Sequence, residues 1–527
     1  MAILTPLGRR RRGCLVLSTV FFVLLVAAVV GSFVFFPNVL TFLPWHPGKH
    51  PLAITPTVAP QGHIGLSDGA YAIDINPDRK DASLKIQAAA KFAKGDKAGA
   101  ISLWSQAVGN IGNDTSDAEP LIYLEDQRII ASGLPYMTLV VGTVLTGDPD
   151  AITTGRDSLQ GAYVAQKGYN NSLKPGGKLL RLLIANADKI DHATAVAQQI
   201  VQAAKADSTI VGVMGWPYST YTQKIIPILA QAHIPMVSQT ASADDLSGIS
   251  PYFFRVAPPN SSQAIAGARY AEQQLHSRRL ALFFDPTDDY TSTLANDFKK
   301  QFVDVDRNLL VDTEQYTVGD KAGLPTLVQK ALKNNPDLIY FGGYVDDVAV
   351  LLNNVPTSLP NLQVLGGDGL YGVGGYPTGA QSSRLHFTAF AYPDEWSILG
   401  MNTPQPFFSE YIADFNPIGA DHSAQPYGFT RADGDVILSY DAMLALLQGC
   451  QNALTIQDVL TSDALQKGLT QITGAKVIQG VSGQISFGSN GDPLDKAVVV
   501  LYVDQQGRIH LLEPNGVLGC FAVGKCG

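Results

Sequence analysis

From Met137 onward, short apolar runs alternate with amphipathic stretches in a regular order. "MTLVVGTVL" (137–145) precedes "GRDSLQGAYVAQKGY" (155–169), and "KLLRLLIAN" (178–186) precedes "HATAVAQQIVQAAKA" (192–206). "STIVGVMG" (208–215), "YTQKIIPILAQA" (221–232) and "IPMVS" (234–238) extend the series. Continuous apolar runs of about 4–8 residues predict buried strands, and stretches of about 10–15 with apolar positions three or four apart predict helices. Strands without polar alternation imply a parallel sheet covered on both faces. The pattern restarts at "RRLALFFD" (278–285). It continues through a helix near 292–303, "LLVDTEQY" (309–316), a helix near 324–333, "DLIYFGG" (337–343), a short helix and "QVLGG" (363–367). Two such series predict two α/β lobes. Helices are then expected near 435–447 and 456–469, followed by a hairpin in "GQISFGSNGDPLDKAVVVLYVDQQG" (483–507) that turns at Asn490-Gly491.

Upstream the texture differs. Ala88, Ala89, Phe92, Ile101, Trp104 and Ala107 recur at helical spacing, with Gly95-Asp96 as a break, and a further helix is expected from about 118 to 130. Residues 81–131 weakly resemble one tetratricopeptide-type hairpin. Such repeats need about three copies to bury a core, so this is expected to be a small module packed on a neighbour. Residues 37–80, including "WHPGKHPLAITPTVAPQGHIG" (45–65), are rich in Pro and Gly without a period, and predict an extended linker. Before them, Arg9–Arg12 precede an uncharged apolar run from Cys14 to Phe36. That run is long enough to cross ~30 Å of hydrocarbon. The expectation is a basic cytoplasmic stub (1–13), a transmembrane helix as anchor (14–36) and an extracytoplasmic remainder. The alternative is a cleaved signal peptide, whose apolar core would span about 7–15 residues before a small-residue site. Here Phe33, Phe35 and Phe36 run straight into Pro37.

Composition narrows the function. A content of 46% hydrophobic and 16% charged residues is that of a folded globular chain. A net charge of −9 lacks the basic face of a nucleic-acid binder, so no nucleic-acid partner is expected. The 4 cysteines do not make a disulfide scaffold. Cys520 and Cys526 stand close enough to pair in an oxidising compartment, and Cys450 is expected to be buried in a helix. No second Cys or His pair stands at ligand spacing, so neither metal nor cofactor is expected. P-loop and H-E-x-x-H motifs are absent, and no enzyme activity is expected. Gly367–Gly372 fits G-x-G-x-x-G, but "GVGGYPTG" follows where a dinucleotide site needs a helix. Asp285, Asp288 and Asp289 lack calcium-loop spacing and predict a solvated loop.

Open parallel sheets bind ligands at the carboxyl ends of their strands. After "STIVGVMG" comes Trp216-Pro217-Tyr218-Ser219-Thr220, opening a helix whose unpaired N–H groups, with the Ser219 and Thr220 hydroxyls, suit a carboxylate. Either hydroxyl serves equally well as a cap of its own helix. After "IPMVS" comes Gln239-Thr240-Ala241-Ser242-Ala243, which taken alone is an ordinary turn. In the second series Tyr290, Tyr344 and Asp368 follow strands. Two rings and a carboxylate suit an ammonium group and an apolar side chain; surface packing and a turn role are the alternatives.

"GVMGWPYST…IPILAQAHIPMVSQTASADDL…PYFFRVAPPNSSQA", "ALFFDPTDDYTSTLANDF", "DLIYFGGYVDDVAVLL", "VLGGDGLY" and "VSGQISFGSNGD" occur in this order. Together they resemble the branched-chain amino-acid-binding proteins, a family with the type I periplasmic binding fold, over roughly Met137 to Val503. The resemblance implies two lobes joined by a hinge: lobe 1 about 136–257 and 395–470, lobe 2 about 258–394 and 471–527. It implies a ligand carboxylate held at Ser219 and by Thr240, Ala241 and Ser242, and an ammonium held at Asp368 beside Tyr290 and Tyr344. At the Asp368 position the family carries Glu, one methylene longer. Trp216 and Tyr218 are bulkier than the family pattern, which predicts a narrowed pocket or a cover over the ligand. The implied function is capture of an amino-acid-like solute for the permease subunits of an ATP-driven (ABC) importer. A membrane-anchored sensor that signals through a partner protein is the alternative.

Overall fold

Residues 63–109, 117–305, 310–372, 376–393, 396, 406–415, 432–512, 517–523 and 525–526 are described in the computed structural model. The expected anchor at 14–36 lies outside them. Among the described residues no helix is long and apolar enough to cross a membrane.

The chain opens with β1 (Gly65–Ser67), then α1 (Ala82–Ala93), α2 (Lys97–Gly109) and α3 (Ala118–Ser132). The first β/α series follows as β2 (Tyr136–Thr143), α4 (Pro149–Ser172), β3 (Leu179–Asn186), α5 (Ile190–Ala206), β4 (Ile210–Met214), α6 (Ser219–Gln231), β5 (Met236–Ser238) and β6 (Phe253–Arg255). The second comprises α7 (Asn260–Gln273), β7 (Arg279–Phe284), α8 (Asp289–Val305), β8 (Leu310–Gln315), α9 (Leu324–Leu332), β9 (Leu338–Gly342), α10 (Val345–Asn354), β10 (Gln363–Gly366) and β11 (Leu385–Ala389). Then come α11 (Phe407–Phe415), α12 (Gly434–Ile456), α13 (Ser462–Leu469), β12 (Ile478–Gly480), β13 (Gly483–Ile485), β14 (Val498–Val503), β15 (Ile509–Leu511), β16 (Val517–Leu518), β17 (Cys520–Ala522) and β18 (Lys525–Cys526). The last two strands set Cys520 opposite Cys526 in antiparallel register.

The first sheet runs β1-β3-β2-β4-β5-β6, parallel throughout except for β1. All eight residues of β3 are buried, as a continuous apolar run requires. The second sheet runs β15-β14-β11-β10-β9-β7-β8, its central strands parallel and β14 antiparallel to β11. The mixed α/β fold is thus two-sheeted. The chain passes between the lobes three times: after β6, after β11, and between β13 and β14.

Several expectations need correction. The end of the expected linker is structured: Gly65, Leu66 and Ser67 pair with Asn186, Ala185 and Ile184, so β1 covers the free edge of β3. The short helices α1–α3 share one apolar core with the first lobe, in which Trp104 packs against Tyr123 with ring centroids 5.3 Å apart. A buried ion cluster joins them. Lys85 contacts Asp117 and Glu119, the latter at 2.9 Å, while Arg79 and Arg156 both reach Asp74, at 2.6 and 2.7 Å. The hairpin expected at 483–507 does not form. Asn490-Gly491 does turn the chain, with Phe487 bridged to Pro493, but β13 pairs with β12 while β14 leaves for the other sheet. The helix expected from 456 starts at Ser462, where the Thr461 side chain caps it through the Ala464 N–H; residue 456 instead ends α12. Asp285 is not solvated: it is 4% exposed and accepts from the N–H groups of Thr287 and Val318.

Candidate functional site

A cavity of about 970 Å³, part of it open to solvent, lies where the carboxyl ends of the two sheets face each other. The first lobe contributes Thr153 and Thr154 from α4, Pro217, Tyr218 and Ser219 from the β4–α6 turn, and Thr240 from the loop after β5. The second contributes Tyr290, Tyr344, Asp368 and Tyr371, and Asp435 opens α12.

On the first-lobe wall, α6 begins at Ser219, and its N-cap residue Tyr218 supplies no side-chain cap. The first-turn N–H groups of a helix have no carbonyl one turn back, and their partial positive charge faces this cavity. Ser219 Oγ accepts from the Ala243 N–H at 3.1 Å, so it fixes the neighbouring loop rather than capping its own helix. Thr240 Oγ1 donates to the Pro217 carbonyl at 2.8 Å and ties the two loops together.

On the opposite wall Asp368 follows β10 in a single short turn, so the G-x-G-x-x-G match opens no α-helix. Its Oδ1 accepts from Gln263 Nε2 at 2.7 Å and from the Tyr290 hydroxyl at 2.9 Å. The Gly369 N–H donates to that same hydroxyl at 2.8 Å. Gln263, buried on α7, also receives the Asp368 N–H at 3.1 Å and the Thr388 hydroxyl at 2.8 Å. Two side-chain donors thereby hold the Asp368 Oδ1 at the cavity wall. Burial lifts the Asp368 carboxyl to about 6, against the lowering effect of the Gln263 and Tyr290 hydrogen bonds. The Tyr290 and Tyr344 rings lie 5.4 Å apart, and Tyr218 meets Tyr344 edge-on across the cleft at 6.1 Å.

A third wall is carboxylate-rich. Asp435 accepts from Thr154 Oγ1 at 3.3 Å, and burial, then Asp433 and Asp368 nearby, push it well above its usual range. Burial, with Asp433 and Asp435 adding to it, does the same to Asp157 on α4. Asp433 caps α12 through the Val436 N–H at 3.0 Å, and burial raises it to about 6. Among the described residues no group of carboxylates, histidines or cysteines could hold a metal ion.

Ser219, Thr240, Tyr290, Tyr344 and Asp368 are therefore brought together, and three other expected positions are not. Thr220, one residue further round the helix than Ser219, turns into a neighbouring cavity and donates to Asp288 Oδ2 at 3.1 Å. The Ala241 N–H is taken by Ser238 Oγ and its carbonyl by Arg255. Ser242 is fully buried behind the cleft, with its carbonyl bound to the Asn260 N–H. Trp216, expected near the ligand, is also buried: its ring occupies the space where a side chain at Gly142 would project. Tyr218 lines the cavity and meets Tyr344 across it. Thr153, Thr154, Gln263, Tyr371 and Asp435 were not foreseen. The two threonines follow β2, so the strand-end rule applied there would have found them, whereas Asp435 follows no strand.

The periplasmic binding protein family model matches residues 186–508. The leucine-specific-binding protein of Salmonella typhimurium is 27% identical over 196 residues, 37% of this chain and 51% of that protein. The Leu/Ile/Val-binding protein BraC3 of Rhizobium johnstonii is 26% identical over 320 residues, 59% of this chain and 79% of that protein. The chain spans about half the length of the first curated relatives it matches. Among solved structures, the leucine binding protein LivK of Thermotoga maritima has the same fold, with a TM-score of 0.58 at 21% identity, covering 73% of this chain and 99% of that one. So does LivJ of Streptococcus pneumoniae in complex with isoleucine, with a TM-score of 0.58 at 18% identity, covering 72% and 100%.

Proposed function

We propose, from the premise that the chain belongs to the periplasmic binding protein family, that its cleft captures an amino acid outside the cytoplasm by closing two lobes around it. Members of this family bind solutes and catalyse no reaction. The observation that carries the reading is the pairing of opposite walls. The N-terminus of α6 with the Ser219 hydroxyl offers donors to a carboxylate, on a wall that Thr240 ties together, and Asp368, held by Tyr290 and Gln263, offers an oxygen to an ammonium. A ligand with both groups bridges the lobes, so binding free energy stabilises the closed state. On this reading the protein delivers its ligand to the permease subunits of an ABC importer, and residues 14–36 would hold it at the membrane with its N-terminus inside.

The test is calorimetric titration of the full chain with a panel of the common amino acids, repeated on Asp368→Asn. Saturable binding by wild type and its loss in the variant support the reading. No binding by any amino acid, or binding that ignores the substitution, overturns it.

A further inference from the structure

A cleft built for an apolar amino acid has no use for a second carboxylate, yet this one has Asp435. Asp435 lines the same cavity as Asp368, beside Thr153, Thr154 and Tyr371, and Thr154 Oγ1 is its hydrogen-bond donor at 3.3 Å. Among the described residues lining the cavity there is no lysine or arginine. The nearest cation in sequence to Thr154, Arg156, is already engaged: it reaches Asp74 at 2.7 Å and Asp78 at 2.6 Å. The groups facing Asp435 add negative charge rather than relieve it, namely Asp433 on its own helix and Asp368 from the second lobe. Behind them the buried carboxyls of Asp157 on α4 and Asp433 meet each other, a contact that needs a shared proton. A buried carboxylate needs a counter-charge or a proton. Arg156 acts on Asp157, but among the described residues lining the cavity none supplies a counter-charge to Asp435.

We propose that the ligand brings it: the cleft takes an amino acid whose side chain ends in a second cationic group, the diamino class of lysine and ornithine, with the α-ammonium on Asp368 and the side-chain ammonium on Asp435. The inference rests on the amino-acid reading above and adds the side-chain subsite. In the empty cleft Asp435 avoids a buried charge by holding a proton. An arriving ammonium takes the proton's place, and the proton leaves to solvent.

Titration calorimetry of the full chain with lysine, norleucine, leucine and putrescine tests this, in two buffers of different ionisation enthalpy at pH 7. Norleucine keeps the lysine carbon chain and lacks only the terminal ammonium. Lysine is expected to bind about tenfold or more tightly than norleucine and to release protons on binding. Asp435→Asn should lower the lysine-to-norleucine affinity ratio by about tenfold or more. The wild-type comparison needs no variant, so a misfolded Asp435→Asn would not blunt the test. Norleucine or leucine binding as tightly as lysine overturns the second cationic subsite and leaves the amino-acid reading standing. Putrescine binding as tightly as lysine, or no amino acid binding, overturns both.

Discussion

Thr220 of the first lobe donates a hydrogen bond of 3.1 Å to Asp288 of the second. Asp288 also accepts from the Tyr344 hydroxyl at 3.3 Å, so one carboxylate joins a lobe–lobe contact to the aromatic cover of the cleft. Thr220→Val keeps the side-chain shape and removes the donor. A net hydrogen bond contributes about 0.5–1.5 kcal/mol. The variant should therefore bind its ligand about two- to tenfold more weakly, through faster release. Stopped-flow dissociation rates check this, and an unchanged off-rate would remove the contact from the closure mechanism.

Asp368 gives a pH dependence of defined sign. Its folded value of about 6 stands above the ordinary 3.8. A raised carboxylate favours the fold fully below its unfolded value, and that contribution is lost as pH rises through about 6. At pH 7 the unliganded protein thus carries a cost of at most about 3 kcal/mol, reduced where the carboxylate meets solvent. Asp368→Asn should melt higher than wild type at pH 7, and the gap should close below about pH 4. Wild-type affinity for an amino acid should fall as pH drops below about 6, because a protonated Asp368 cannot pair with an ammonium. Melting curves and titrations across pH 4–8 test both halves.

The ion cluster under α1 and α3 should be costly to break. Lys85 is buried against Asp117, Glu119 and the Asp74 carbonyl. Lys85→Ala would remove the ammonium between Glu119 and Asp117 and leave Asp117 to Arg79 at 3.6 Å, and breaking a buried pair costs about 3–5 kcal/mol. Urea denaturation should show a lower midpoint. A midpoint within error of wild type would mean that water replaces the ammonium.

Gly161 sets the spacing of two cleft helices. A Cβ there would lie 2.4 Å from the Val436 carbonyl and 2.7 Å from Ser439 Cβ, so α4 and α12 must separate to admit one. Gly161→Ala should cost about 1–3 kcal/mol. It should also weaken binding, since Thr154 and Asp435 face each other across that same pair of helices. Thermal melts and ligand titration together check it; lost stability with intact affinity would detach the packing from the site.

The alternation of strands and helices was legible because strands such as β3, β4 and β9 are near-continuous apolar runs. In "LLRLLIAN" even Arg181 is buried, yet seven neighbours fix the strand. Partners were harder to read than strands. β14 looks like the second arm of a hairpin because alternation reports a strand's faces, whereas the third lobe crossing decides which sheet it joins. Edge strand β1 was invisible: three residues in a Pro- and Gly-rich stretch have no period to detect. At the site, rules about strand ends found the positions, while helix rotation decided the directions. Ser219 and Thr220 are adjacent, and the turn of about 100° between them sends one hydroxyl to the cleft wall and the other to Asp288.

The three residues of β1 also bear on where the chain tolerates a cut. Pairing with β3 makes Gly65–Ser67 part of the sheet's finished border. Proteolytic maturation upstream of residue 63 would release every strand of both sheets in one piece. A cut just after Ser67 would detach that border strand and expose the backbone of β3, an invitation to edge-to-edge aggregation. A cut before His63 leaves that border strand in place.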